Sequence, residues 1–361
     1  IKIYMSFAHH LFLNNLNKIR ANITTKKVLS STIPVYLFLP LLLLEIFVME
    51  DRTSIFPQFK HADWRKGFSR EVGEAHLNEM NFTIDGLSFE PMGDDEDAES
   101  FAGKLPKKEE NIAFGEIFDF TGGNQPIRQL MESLQHDYTA PLLLVDKKTN
   151  AGIFDDVRFD ILNASIHVTD GWMDPWKVYF MILHGGYPKG LRIINRKDDS
   201  GKDALKHFHF DAKNEVIPFI RQISREIEMT NHQNIQISMT FTGRTLHDII
   251  KARAVKTSWF NILYHAGLPL TPFHFEVILP VEGQYPDIVI GHTNNLIAST
   301  MAQADTVVFA CRQDDNERRI LRNSAHISVI EAGLDKETDP VAGSYFVEKV
   351  AAQLAEKALA G

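Results

Sequence analysis

From residue 112 onward the chain alternates short apolar runs with longer segments whose apolar positions recur at helical spacing. The runs 141–145, 160–168, 191–195, 235–240, 275–279 and 306–310 read as strands, and 125–136, 215–229, 246–264, 287–303 and 343–360 as helices. Pro218 falls in a first helical turn, where a missing N–H costs least. Strand and helix in alternation is the pattern of βα units on a parallel sheet, whose strands are covered on both faces and read as continuous apolar stretches. Repetition of the unit favours a (β/α) barrel over an open sheet, although periodicity alone does not count the strands. In the last helix Val347, Val350, Ala351, Leu354 and Ala358 share one face and are predicted to pack on the barrel wall.

Ahead of this pattern the chain changes character. Residues 1–48 join a basic, Asn-rich lead (Lys18, Arg20, Lys26, Lys27) to the apolar run from Ile33 to Val48. That run is shorter than the ~20 residues a spanning helix needs, contains Pro40 and Glu45, and has no small-residue cleavage site after it. A membrane role is therefore not expected, and residues 1–48 are read as upstream sequence carried into the translation, with Met49 opening the protein proper. Residues 49–111 form an N-terminal arm, predicted as a short helix with Trp64 and Phe68 as anchors, then an extended segment. Its runs Asp94-Asp95-Glu96-Asp97 and Lys107-Lys108-Glu109-Glu110 are solvated linker.

Composition narrows the classes. A 361-residue chain, 44% hydrophobic and 24% charged, can bury a large core. A net charge of −9 argues against a nucleic-acid partner held by phosphate neutralisation. One cysteine, Cys311, forms no internal disulfide, and a reducing, cytoplasmic setting fits. Among His207, His209, His232, His247, His265, His274 and His292 only His207-x-His209 has ligand spacing, so no metal site is expected. Asp155-Asp156 and the segment 170–176 read as loop and turn chemistry, with Trp172 and Trp176 as an anchor or an interface.

The most specific stretch runs from Arg318 to Glu348: Arg-Asn, then Glu-Ala-Gly, then Asp-Pro-x-x-Gly-Ser-Tyr-x-x-Glu at 339–348. This order resembles the end of the substrate-binding barrel in the methylmalonyl-CoA mutase family. The helix Lys251-Ala252-Arg253-Ala254-Val255-Lys256, ending at Trp259, is similar to that family's Lys-x-Arg-Ala-x-Arg…Trp helix. The resemblance extends from about residue 234 to 360 and decides for a (β/α)8 TIM-type barrel, complete or incomplete, over residues 112–361. Read as residues alone, Gly343 permits a close approach of backbones, Tyr345 packs, and Arg253 must be paired because an unpaired buried charge is costly.

Where catalytic chains of that family carry Arg-Thr-His-x-Gln-Thr-Ser-Gly at a strand end, this chain reads Glu276-Val277-Ile278-Leu279-Pro280-Val281-Glu282-Gly283. Ala298 stands in place of an arginine after Thr293-Asn294-Asn295, Thr300 is kept, and the strand ending at Cys311 lacks the family's histidine. No Asp-x-His-x-x-Gly corrinoid motif occurs; Leu183-His184-Gly185-Gly186 reads as a turn after a helix, and the chain is expected to be truncated before any corrinoid domain. No catalytic residue is assigned, and none for cofactor or metal. The resemblance thus implies the small, non-catalytic beta subunit of a mutase, which pairs as a heterodimer with a large catalytic chain. Adenosylcobalamin and acyl-CoA, for the interconversion of methylmalonyl-CoA and succinyl-CoA, would belong to the complex. An active acyl-CoA mutase barrel that borrows a corrinoid domain from another chain is the alternative, so whether this chain is itself an enzyme stays open at this point. The apolar residues 277–281, with Trp64 and Phe68, are the expected interface.

Overall fold

The computed structural model describes residues 60–92, 105, 111–123, 125–184, 188–195, 205–227 and 235–360. The segment 1–48, with its apolar run, and the two charged runs of the arm lie outside the described residues. Among those described, no helix is long and apolar enough to cross a membrane.

In chain order, α1 (His61–Glu71) and α2 (Glu74–Glu79) precede a hairpin of β1 (Phe82–Ile84) and β2 (Leu87–Phe89). Then come β3 (Ala113–Asp119), α3 (Ile127–Gln135), β4 (Leu142–Val145), β5 (Ser165–Val168), α4 (Asp174–His184), β6 (Arg192–Asn195) and β7 (Lys206–Asp211). The chain continues through α5 (Val216–Ile227), β8 (Ile235–Thr240), α6 (Thr245–His265), β9 (His274–Leu279), α7 (Asp287–Met301), β10 (Thr306–Ala310), α8 (Asp315–His326) and α9 (Tyr345–Leu359). Strands β3 to β10 make one eight-stranded parallel sheet in the order β6-β5-β4-β3-β10-β9-β8-β7.

Contacts across the sheet show that it curls into a nearly closed barrel. Ser165 on β5 donates to Glu276 on β9 at 3.0 Å, and the rings of His167 on β5 and His207 on β7 lie 5.3 Å apart. Both pairs join strands far apart in the sheet order, so they meet only across an interior. Side chains alternate along each strand. Phe275, Val277 and Leu279 of β9 face outward into the helix layer, whereas Glu276 faces inward.

The outward faces make two apolar clusters. The larger joins β7–β10 to α5, α6, α7 and α9; the smaller joins β4–β6 to α3, α4 and the turns after β4. Strand β3 belongs to both, through Phe114 on one side and Phe118 on the other. Between them Glu116, wholly buried, is held by Arg318 of α8 at 3.2 Å, and Arg318 also donates to Glu132 of α3 at 3.0 Å. The last βα unit is thereby fastened to the first. As predicted, Val347, Val350, Ala351, Leu354 and Ala358 of α9 are buried.

The short helix expected ahead of the barrel is α1, but the described part of the segment expected to be extended folds back onto the barrel. Asp85-Gly86 turns the hairpin with both residues at positive φ (49° and 72°), the geometry of a two-residue primed turn. Ile84 and Phe89 enter the larger cluster. Asp85 accepts from the amides of Val216 and Ile217 at the start of α5 and pairs with Lys251 at 3.3 Å. The hairpin is part of the core.

Candidate functional site

The cationic residues singled out on α6 are structural. Lys251 also donates to the carbonyls of Ala212 (3.0 Å) and Asn214 (2.6 Å), and Lys256 to those of Ala302 and Gln303 (both 2.8 Å). Arg253 is held by Asp339 and Glu348, the two acidic ends of the Asp-Pro-x-x-Gly-Ser-Tyr-x-x-Glu stretch. The two resembling motifs are thus halves of one buried ion pair. Gly343 sits at φ +79° in open space, so it answers a backbone requirement and not a close approach; Tyr345 is 42% exposed and is not a core residue.

At the carboxyl ends of the strands, the acidic side chains tie loops down. Asp119 accepts from Thr121, Asp146 from the amides of Gly122 and Lys148, Asp170 from those of Lys147 and Trp172, and Asp211 from that of Lys213. Strand β9 leaves through Leu279, Pro280, Val281 and exposed Glu282. Beside β3 and β10, a cavity of about 400 Å³ is lined by Ile117, Asp119, Gln125, Gln129, Cys311 and Gln313. Burial there pushes the Cys311 thiol up to about 11, so it is protonated and weakly nucleophilic at neutral pH. A thioester oxygen or a corrin needs aimed hydrogen-bond donors, and carboxylates already engaged with loop amides do not supply them. Among the described residues the acidic side chains of the mouth are a poor fit for either group, and the amide side chains of Gln125, Gln129 and Gln313 are the polar donors of the cavity.

Two expectations change here. Val277 and Leu279 are core residues of the outer layer, so they are not available as an interface. Glu276, expected at a strand end, lies in mid-strand inside the barrel. There it accepts from Ser165 and, at 2.7 Å, from Ser238, which is bonded in turn to His207 Nε2 at 2.7 Å. His207 is drawn to His167 and Glu276, while His209 is exposed. Residue spacing missed this group because its members come from β5, β7 and β9; the sole signal was a glutamate inside an otherwise apolar strand. His184 ends α4, and Gly185-Gly186 lie outside the described residues.

Fold and interior together define a parallel (β/α) barrel with a polar centre. Residues 287–361 match the family model described as methylmalonyl-CoA mutase. No match is found among curated proteins. Similar solved structures include a dihydropteroate synthetase with a product, at 10% identity and a TM-score of 0.37, over 72% of this chain and 99% of that one. Another is the Yersinia pestis dihydropteroate synthase with a sulfonamide drug, at 10% identity and a TM-score of 0.32, over 72% of this chain and 100% of that one.

Proposed function

We propose that this chain is the non-catalytic, structural subunit of a methylmalonyl-CoA mutase, paired in the cytoplasm with a larger chain that holds adenosylcobalamin and acyl-CoA. The observation that carries the reading is a mutase-family segment on a barrel whose β9 exit, Leu279-Pro280-Val281-Glu282, contributes no side-chain donor to a developing oxyanion. An apolar surface supports association. Val178, Met181 and Ile182 of α4 are exposed, Ile182 by 78%, with Trp172 exposed just before the helix. Contiguous exposed apolar side chains of this kind mark contact surfaces. Half-buried Trp64 and Phe68, 5.4 Å apart on α1, add a second patch.

Co-expression with a large mutase chain tests this. The two are expected to co-elute in size-exclusion chromatography, and Met181→Asp with Ile182→Asp to reduce co-elution while circular dichroism stays unchanged. A chain that remains monomeric beside its partner overturns the reading. So does a chain that interconverts methylmalonyl-CoA and succinyl-CoA when given only adenosylcobalamin or a separate corrinoid domain, and the active-barrel alternative then takes its place.

A further inference from the structure

The polar centre of the barrel is not used by the subunit reading and stands independently of it. His167, His207 and Glu276 each offer one ligating atom, and these atoms all lie within 4.8 Å of one another. His167 and Glu276 are buried and His207 is half-buried. Two imidazole nitrogens and a carboxylate oxygen form the His2Glu set that zinc takes in sites keeping one position open. Donors about 2.1 Å from zinc stand about 3.4 Å apart at the tetrahedral angle, so a closure of up to about 1.4 Å by side-chain rotation brings the three to bonding distance.

The surrounding hydrogen bonds orient these groups as ligands. Arg192 Nε, which only donates, points to Ser165 Oγ at 3.2 Å, so the Ser165 proton goes to Glu276 Oε2. Gln236 Nε2 donates to Ser238 Oγ at 3.3 Å, and the Ser238 proton goes to Glu276 Oε1. With the Ser238 proton on Glu276, His207 Nε2 donates to Ser238 Oγ. Both carboxylate oxygens and one imidazole are therefore fixed by partners of the kind that hold metal ligands in place.

We propose that the barrel interior is a binding site for a divalent zinc-class metal, with His167, His207 and Glu276 as ligands and Ser165 and Ser238 positioning the carboxylate. The test uses the full chain, stripped with a chelator, loaded with Zn²⁺ or Co²⁺ and freed of excess metal by gel filtration. One equivalent of metal is expected to remain, with a tetrahedral-type cobalt spectrum and a raised melting temperature. Ser238→Ala, which removes only a positioning group, should weaken binding in calorimetry by about tenfold, and Glu276→Gln and His207→Ala should each weaken it further. His209→Ala should leave it unchanged. No retained metal overturns the proposal, as does binding undiminished in His207→Ala and Ser238→Ala, or binding lost equally in His209→Ala, the mark of an adventitious His-x-His chelate. Circular dichroism of each variant separates lost ligation from lost fold.

Discussion

Arg253 and Glu348 close on one another between α6 and α9: Nε donates to one carboxylate oxygen at 3.2 Å and Nη2 to the other, with the two side chains only 4% and 3% exposed. Asp339 takes Nη1 at 2.5 Å. Removing one member of a buried pair strands the other, at a cost of about 3–5 kcal/mol. Arg253→Met is expected to lose that much in urea unfolding. Arg253→Lys should also destabilise, because an ammonium cannot reproduce the two-pronged contact. A loss within error of zero for Arg253→Met would show that the clasp contributes nothing net.

Leu354 is wholly buried on the inner face of α9. Leu354→Ala is expected to cost about 2–5 kcal/mol, the range for a core truncation that leaves a cavity. An unchanged urea midpoint would mean that α9 is not docked.

The hairpin ahead of the barrel should behave as core. Phe89→Ala is expected to cost about 3–5 kcal/mol, and Asp85→Ala about 1.5–3 kcal/mol, because it removes a charged acceptor from Lys251 and from the α5 amides. Deleting residues 61–92 should abolish the cooperative thermal transition. Retention of that transition would return the segment to a purely peripheral role.

Acid stability depends on two buried groups of opposite sign. Burial holds His292 down to about 4, and burial raises Asp248 to about 6 against hydrogen bonds from Thr242 and Gly243. For His292 the unfolded chain takes up its proton first, near pH 6.5, so stability falls by about 3 kcal/mol as pH drops from 6.5 to 4. For Asp248 the folded chain is protonated first, so stability rises by about 3 kcal/mol between pH 6 and 4. The two nearly offset in the native protein. Urea midpoints from pH 7 to 4.5 should fall more steeply in Asp248→Asn than in the parent and less steeply in His292→Asn. Parallel profiles for all three proteins would contradict the assignment.

The apolar runs at β4, β5, β6, β8, β9 and β10 were legible because a parallel strand covered on both faces needs little else. Strand β3 was hidden by Glu116, whose burial is compensated by Arg318, 202 residues away. Strand β7 was hidden because its inner face carries His207 and His209. Helix α8, Asp315–His326, was not among the expected helices, because its buried face carries Arg318 and Arg322, which are compensated by Glu116 and Glu132. Helix α4 is apolar on most sides and shows no amphipathic period, so only its Trp176 anchor was recognised. In the barrel centre His207 was noticed beside the wrong neighbour. A triad drawn from three strands becomes visible only once the sheet has curled.

The sharing of β3 between two apolar clusters has a kinetic consequence. Among the described residues no ladder joins β6 to β7, so the β4–β6 side and the β7–β10 side meet along the backbone of β3 and across the polar centre. Cooperative opening units tend to follow such divisions. In native-state hydrogen exchange the amides of β4, β5 and β6, backed by the smaller cluster, should therefore exchange as one group ahead of those of β8 and β9. Metal bound at the centre, linking β5 to β7 and β9, should draw the two exchange rates together.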